Sequence, residues 1–249
     1  LARMAAVNPS AVSHKVTTLN QSARALEAVS QDDPAENMLR ESLELDRDQS
    51  EVAQHLVALR QRQCKWPILE PGERFDVGVL TRGMSPLSAG AFTDDPLWQL
   101  ALAAHYNQTD VGSPAATLTA WPQAVQDGDA PLRVGYLSSD LREHAVGYLM
   151  TEVPGLHDRS RVEVFNYYCG VDSPDAMHAH FQAASDHFRV INHLDDAAAA
   201  RLMADDGIQI LIDLNGYTRD ARLKLVAMRP APVIVNWLGY PGTMASPYH

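Results

Sequence analysis

The segment LRVGYLSSDLREHAVGYLM, residues 132–150, changes character twice within a short length of chain. It begins with a nearly continuous apolar run that stops at Ser138, a polar loop follows, and His144 stands where an amphipathic run begins. A short apolar run closed by polar residues is typical of a buried strand, whereas the later spacing is typical of a helix. The segment therefore predicts a strand, a loop and a helix in succession.

The same alternation of strand-like and helical runs continues to the end of the sequence. The five strand candidates are LRVGYL (132–137), VEVFNYY (162–168), HFRVIN (187–192), IQILIDL (208–214) and PVIVNWL (232–238). Strands that are apolar almost throughout and that alternate with helices predict a parallel sheet covered on both faces. We therefore expect an α/β fold, with a Rossmann-like parallel sheet in residues 131–249.

Residues 1–66 show helical spacing instead. Apolar residues recur on one face in DPAENMLRESLELD (33–46) and again in SEVAQHLVALRQRQCKW (50–66), where the face ends at Trp66. Asp33, followed by Pro34, and Ser50 are the expected capping residues of the two helices. The pair predicts α-helical tetratricopeptide-like repeats, and a plain helical hairpin is the alternative.

Residues 67–130 contain many Pro and Gly residues and show weak periodicity. DDPLWQLALAAHYNQ, residues 94–108, is the convincing helical run among them. This part of the chain is therefore predicted to be a connector with one or two helices.

Charge and cysteine content exclude several classes of protein. The formal net charge is −11, and phosphate-backbone binders usually carry a basic balance, so we expect no nucleic-acid partner. Cys64 and Cys169 are the only cysteines, too few for a thiolate zinc site or a disulfide framework, which suits a reducing cytoplasm. No segment approaches the roughly 20 apolar residues of a membrane span, so we expect no membrane partner and a cytoplasmic location.

Small, polar or Gly-rich loops follow four of the five strand candidates: SSD (138–140), CGVDS (169–173), NGYT (215–218) and GYPGT (239–243). Ligands of open parallel sheets bind outside the carboxyl ends of the strands, so these loops predict a binding cleft. Asn215 and Thr218 are expected to donate hydrogen bonds toward the ligand. The candidate cleft residues are Ser138, Asp140, Asn215, Gly216, Tyr217, Thr218, Tyr240, Pro241, Gly242 and Thr243.

His144 is the candidate catalytic residue. The positive end of a helix dipole disfavours an imidazolium, so a histidine at a helix start is expected to stay neutral, as a base or a hydrogen-bonding group must. An exposed histidine of the capping region is the alternative. His178 and His180 lie two positions apart, whereas metal ligands on a helix lie three or four apart, so no metal site is expected.

Three segments together carry a resemblance to a known family: LRVGYLSSDLREHAVGYLM, DGIQILIDLNGYTRDAR and MRPAPVIVNWLGYPGT, in this order. They resemble the amino-terminal catalytic lobe of the O-linked N-acetylglucosamine (O-GlcNAc) transferase family, in particular a bacterial member, over roughly residues 130 to 244. The upstream helices that end in CKW resemble the last tetratricopeptide repeat of that family. The motif RPAP-x5-LGYPGT is long enough to be quite specific.

The resemblance implies the first lobe of a GT-B glycosyltransferase, which has two Rossmann-like lobes. It implies metal-independent, inverting transfer of N-acetylglucosamine from UDP-GlcNAc to Ser/Thr hydroxyls of acceptor proteins or peptides, without a cofactor. His144 takes the place of the active-site histidine of the family, and a base role and a positioning role are both compatible with it.

Two departures from the family pattern matter. Ala204, in RLMADDGIQ, stands where the family usually has a histidine, and it is expected to face the same strand edge as His144. Either this protein functions without that side chain, or the position carries an engineered His→Ala substitution, which the retained flanking residues favour. The sequence also stops after the first lobe, so we expect the carboxyl-terminal lobe of the same protein as a partner and an inactive chain without it.

Two alternative functions stay open at this point. One is a related transferase that uses GDP-fucose or UDP-glucose, because the donor would be recognised by the second lobe. The other is a non-catalytic tetratricopeptide scaffold. The sequence leaves open the acceptor protein, the donor sugar and the oligomeric state.

Overall fold

The computed structural model describes residues 9–114, 116–119, 121, 130–172 and 175–249. The chain forms two compact units, which divide between Leu102 and Ala103. Within the described part, no helix is both long enough and apolar enough to cross a membrane.

The first unit is helical. Its helices are α1 (Pro9–Ala28), α2 (Asp32–Leu45), α3 (Ser50–Arg62), α4 (Val77–Gly83), α5 (Pro86–Phe92) and α6 (Pro96–Tyr106), the last of which continues past the division. Helices that follow one another from α1 to α4 pack together. Their buried faces form one core, which includes Ala23, Leu39, Leu43, Leu56, Val57, Leu59, Phe75, Val79, Leu80 and Met84.

The predicted capping residue is wrong by two positions for α2 and by one position for α3. Gln31 and Gln49 precede α2 and α3, neither caps its helix with a side chain, and Asp33 and Ser50 lie inside the helices. The Gln49 side chain instead donates to the backbone carbonyls of Ser42 and Asp46 at the end of α2. Its amide therefore joins the end of one helix to the start of the next.

Trp66 does not continue the buried face of α3. The helix ends at Arg62, so the helical spacing no longer applies at Trp66, which is 73% exposed.

The predicted connector of residues 67–130 is not a separate element. Phe75, Val79 and Leu80 are buried in the same core as the preceding helices, and α4 packs directly on α3. Asp76 and Ser85 cap α4 and α5 through their side chains, so this part of the chain contains α4, α5 and α6 rather than one or two helices. The predicted boundaries at 66 and 131 therefore differ from the division after Leu102.

A buried ion pair holds the first unit together. Arg60 on α3 pairs with Glu36 on α2, and both side chains are almost fully buried. Arg60 also donates to the carbonyls of Pro67 and Ile68, so the segment after α3 is fixed to the same group. Burial raises the pKa of Glu36, but hydrogen bonds from Lys65 and Arg60 outweigh burial and keep that pKa below its usual value.

The second unit is the predicted α/β fold, which the structure confirms. It begins with the end of α6 and a short π-helix (Asn107–Val111), and it contains five parallel strands in the spatial order β3-β2-β1-β4-β5. The strands are β1 (Leu132–Ser138), β2 (Val162–Tyr168), β3 (His187–Val190), β4 (Ile210–Asp213) and β5 (Val233–Asn236). The helices between them are α7 (Ala145–Met150), α8 (Val153–Leu156), α9 (Ala176–Ala184), α10 (Asp196–Asp205) and α11 (Leu223–Ala227).

Both faces of this sheet are covered, as the apolar strands predicted. Tyr136 of β1 joins the core on one face and Leu137 joins the core on the other, and Val164 and Phe165 of β2 divide in the same way. Because all strands run in one direction, their carboxyl ends meet at a single edge.

Replacement of Arg60 by methionine is expected to destabilise the chain by about 3 kcal/mol or more, because Glu36 and two backbone carbonyls lose a buried partner. Urea unfolding followed by circular dichroism measures the change. Arg24→Met is the matched control, since it removes the same charge from a pair that is 71% and 91% exposed. Equal losses in the two variants would contradict a special role for Arg60.

Candidate functional site

The carboxyl ends of β1 and β4 form the centre of the polar strand edge. The two strands are neighbours, and Leu137 is paired with Asp213, so the residues after each strand lie side by side. Ser138, Asp140 and Asn215, which the sequence places after different strands, are thereby brought together.

The Asn215 side chain joins the two loops. Its Oδ1 accepts the backbone N–H of Ser139 at 2.9 Å, and its Nδ2 lies 2.8 Å from Ser139 Oγ, 3.2 Å from Asp140 Oδ2 and 3.1 Å from Thr218 Oγ1. Asn215 is only 1% exposed. Its amide is therefore fully used within the protein, and the expectation that it donates to a ligand is wrong. Thr218 accepts from this amide and is partly exposed.

Asp213 fixes the turn that carries Asn215. One carboxylate oxygen accepts the backbone N–H of Asn215 and the other accepts that of Gly216, each at 3.0 Å. His249 Nε2 lies 3.3 Å from the second oxygen, and its Nδ1 lies 2.8 Å from Ser246 Oγ. Gly216 has a φ of +58°, a conformation that side chains disfavour, and a Cβ there would meet Tyr240.

His144 caps α7, as its position in the sequence suggested. Its Nδ1 accepts the backbone N–H of Val146 at 3.3 Å and lies 3.7 Å from Asp140 Oδ1. The side chain is 42% exposed, whereas Asp140 is nearly buried: its carboxylate accepts from the Asn215 amide, and its backbone N–H donates to the hydroxyl of Ser138. Arg142 lies 3.6 Å from the same carboxylate. Asp140 therefore connects the buried framework to the exposed imidazole.

Tyr217 and Tyr240 do not face a cleft. Their rings meet edge to face at 5.4 Å inside the core, and the Tyr217 hydroxyl donates to the Met244 carbonyl and accepts from Asn107. Burial raises the pKa of each tyrosine to about 12. The prediction that these two tyrosines line the cleft is therefore wrong. Burial of an aromatic ring in the core stabilises the fold more than its exposure at the strand edge would.

The GYPGT loop is shaped by close backbone contact within the protein. A Cβ at Gly239 would lie 1.8 Å from the Leu214 carbonyl oxygen, so the loops after β4 and β5 touch at this point. Pro241 is exposed, and Gly242 and Thr243 are partly exposed. These three residues and the partly exposed Gly239 are the part of this motif that a ligand can reach, whereas Tyr240 is buried.

A groove of about 540 Å³ lies beside this edge, after β2 and β3. Cys169, Gly170, Asn192 and Asp220 are among its lining residues. Burial raises the pKa of the Cys169 thiol to about 12, so this sulfur is not a nucleophile at neutral pH. Ser173, the last residue of CGVDS, lies outside the described residues.

Ala204 lies at the opposite edge of the sheet from His144. It is near the end of α10, which leaves the carboxyl end of β3 and leads to the amino end of β4. The Asp206 carbonyl just after it accepts from Arg133, at the start of β1. Seven residues of β1 separate the two edges by about 20 Å, so the expectation that Ala204 faces the same edge is wrong. Ala204 is 5% exposed and packs as a small core residue.

Histidine, cysteine and carboxylate side chains do not form a metal-binding group of three within the described ranges. His178 and His180 contact backbone carbonyls of Leu141 and Thr151 instead.

Ser139, Asp213 and His249 belong to the site framework but were not among the candidates from sequence. A carboxylate at the end of an otherwise apolar strand was a usable signal for Asp213, since a buried acid needs partners. The sequence around His249 contains no signal for its role, because its contact with Asp213 joins residues that are 36 positions apart.

Comparison with known proteins gives one family and several relatives. The model of glycosyl transferase family 41 matches residues 115–249. The UDP-N-acetylglucosamine–peptide N-acetylglucosaminyltransferase of Caenorhabditis elegans is 44% identical over 126 residues, which is 50% of this chain and 11% of that protein. A probable enzyme of the same name, SEC of Arabidopsis thaliana, is 36% identical over 172 residues, which is 66% of this chain and 18% of that protein.

A solved structure agrees in fold. A mutant of the Thermobaculum terrenum O-GlcNAc transferase matches 94% of this chain with a TM-score of 0.56 and 25% identity. The chain spans 52% of that structure and less than a fifth of the two curated relatives.

Replacement of Gly239 by alanine is expected to destabilise the second unit by about 1–3 kcal/mol, because the new methyl group meets a backbone carbonyl that cannot move aside cheaply. Thermal unfolding measures this loss. Gly90→Ala is the control: Gly90 lies in α5 with nothing within 4 Å of the new Cβ, and helix propensity favours alanine there. An unchanged melting temperature for Gly239→Ala would contradict the contact.

Proposed function

This chain belongs to glycosyl transferase family 41, as its motifs predicted, and we propose that it supplies the repeats and first catalytic lobe of a protein O-glycosyltransferase. The proposed enzyme moves N-acetylglucosamine from UDP-GlcNAc to Ser/Thr hydroxyls of proteins or peptides. The names of the relatives support the donor and the kind of acceptor. The observation that carries the proposal is that the family match contains the whole polar edge, including His144 and Asn215.

The proposed reaction is an inverting displacement at the anomeric carbon. The acceptor hydroxyl oxygen forms a bond to that carbon, the bond from the carbon to the β-phosphate oxygen breaks, and UDP leaves with the electron pair. The hydroxyl proton must pass to a base or to water during the step. Nothing in this balance requires a cofactor.

The geometry of His144 favours a positioning role. Nδ1 accepts the Val146 N–H, so the proton of a neutral ring resides on Nε2, which is then a hydrogen-bond donor. A donor at that point suits a phosphate or sugar oxygen, whereas a base would need a free lone pair on Nε2. Rotation of the ring toward Asp140, now 3.7 Å away, would place the proton on Nδ1 and give the base form.

We also propose that the transfer does not depend on a metal ion. Two carboxylates at this edge already accept hydrogen bonds: Asp213 from two backbone N–H groups and Asp140 from the Asn215 amide. Metal-binding carboxylates need free oxygens, so these two side chains are poorly suited to hold a metal ion.

The proposed partners are the carboxyl-terminal lobe of the same protein, which would complete the cleft and hold most of UDP, and an acceptor protein or peptide. The solved relative, of which this chain spans about half, supports a second lobe. We propose a cytoplasmic location without a membrane or nucleic-acid partner, because Cys64 and Cys169 are both free thiols, as in a reducing compartment.

UDP binding is expected when this chain is mixed with the carboxyl-terminal lobe and not when the chain is alone, because the nucleotide would be held across two lobes. Isothermal calorimetry measures both samples. UDP-glucose and GDP-fucose, added in the same experiment, distinguish the related donors. Absence of binding in both samples, with each part folded, would support the scaffold alternative.

His144→Ala is expected to lower kcat/KM of the complete enzyme by about 100-fold, in the range of a single proton-handling or positioning group. His144→Gln is expected to recover at least about tenfold of that loss, because its amide can donate where Nε2 donates. Steady-state kinetics with a Ser-containing peptide measures both.

His144→Asn is the control for the helix start, since asparagine caps helices well but does not reach the Nε2 position. It is expected to keep the melting temperature of the parent while losing activity like the alanine variant. A glutamine variant as inactive as alanine, with activity restored by added imidazole, would identify His144 as the base.

A further inference from the structure

Most cationic side chains of the helical unit are neutralised by carboxylates. Within residues 9–102, ion pairs include Lys15, Arg24, Arg40, Arg60, Arg62 and Lys65. The remaining lysine and arginine side chains of this range are Arg47, Arg74 and Arg82, and the described residues provide none of these three with an ion pair. Acidic residues outnumber basic residues in this chain, so a general shortage of carboxylates does not explain why these three arginines lack ion-pair partners.

The three unpaired arginines line one groove. Its volume is about 640 Å³, and it lies between the turn after α2, which carries Arg47, and the opposite side, where Arg74 precedes α4 and Arg82 lies in the last turn of α4. All three side chains are exposed. Arg47 and Arg74 also line an adjoining depression of about 310 Å³, together with Glu44 and Asp46.

Hydrogen bonds to Glu44 fix the backbone of the segment that carries Arg74. The two carboxylate oxygens of Glu44 accept the backbone N–H groups of Glu73 and Arg74 at 2.7 and 2.8 Å. A Cβ at Gly72 would lie 2.0 Å from the same carboxylate, so only glycine permits this contact. Asp76 is likewise occupied, because it caps α4 through Val79. Glu44 and Asp76 thus accept backbone N–H groups and do not pair with the arginines, so the guanidinium groups are free to bind an external anion.

The lining indicates the chemistry of the ligand. Guanidinium groups bind carboxylates and phosphates in a bidentate manner. Phe75 is buried and offers no face on which a nucleobase could stack. The exposed Asp48 and Glu73 in the same lining suit the backbone N–H groups of a peptide, which a polyphosphate lacks. The mixed lining fits a polypeptide whose acidic side chains meet the arginines.

We propose that the groove around Arg47, Arg74 and Arg82 binds an acidic segment of the acceptor protein, apart from the residue that is glycosylated. The proposal names a substrate class for the proposed function and rests on it. Acceptors with an acidic segment would be bound by the helical unit before their hydroxyl reaches the strand edge.

The binding test uses the 249-residue chain and a fluorescein-labelled peptide rich in Glu, with a peptide in which Gln replaces Glu as comparison. Fluorescence anisotropy at increasing salt measures affinity. The triple variant Arg47→Gln, Arg74→Gln and Arg82→Gln is expected to weaken binding of the Glu peptide by about 10-fold or more, since exposed charge contacts are weak singly and add in a group.

A matched control removes three charges elsewhere. Arg161→Gln, Arg201→Gln and Lys224→Gln together change exposed cations of the second unit and are expected to alter affinity by less than about twofold. Equal binding of the Glu and Gln peptides, or equal losses in the two triple variants, would overturn the proposal. Displacement of the peptide by UDP or inorganic phosphate would also overturn it, in favour of a phosphate site.

Kinetics of the complete enzyme separates this proposal from the proposed function. The groove variant is expected to raise KM for an acidic acceptor without changing kcat, and to leave a neutral acceptor unchanged. Unchanged KM for both acceptors would overturn the groove proposal while leaving the transferase intact. Peptide binding that depends on the arginines, without sugar transfer to any acceptor, would instead reject the transferase and retain the groove.

Discussion

The buried amide of Asn215 holds together the two loops on which the whole polar edge depends. It accepts from the backbone of one loop and donates to side chains of that loop, so the segments after β1 and β4 cannot move apart without leaving buried polar groups unpaired. Asp140 is held by this amide, and His144 lies beside Asp140. The orientation of an exposed imidazole thus follows from a side chain that solvent does not reach.

The strands and the position of the edge were predictable because their causes are local. β1 and β2 nearly coincide with their apolar runs, since burial on both faces requires such runs and polar residues end them. The convergence of Ser138, Asp140 and Asn215 also follows from topology, because parallel strands share one carboxyl edge. Topology alone would equally have placed Ala204 at the far edge, since the helix after one strand ends where the next strand begins.

The errors have physical causes that lie outside any short window of sequence. The inward direction of Tyr217 depends on the positive φ of Gly216 and on partners such as Asn107, more than a hundred positions away. The contact of Asp213 with His249 is likewise long-range. The helices α4 and α5 are only seven residues long, too short to show a clear period, so their place in the helical core was not visible in the sequence.

The cap that His144 provides to α7 links the chemistry of this residue to local unfolding. α7 has six residues, and the first turn of so short a helix opens at low cost. While the turn is closed, the Val146 N–H occupies Nδ1; when the turn frays, that lone pair is free and the ring can exchange its tautomer. Donor and base forms of one imidazole would then be two states of a fraying equilibrium, which hydrogen exchange at the Val146 amide reports directly.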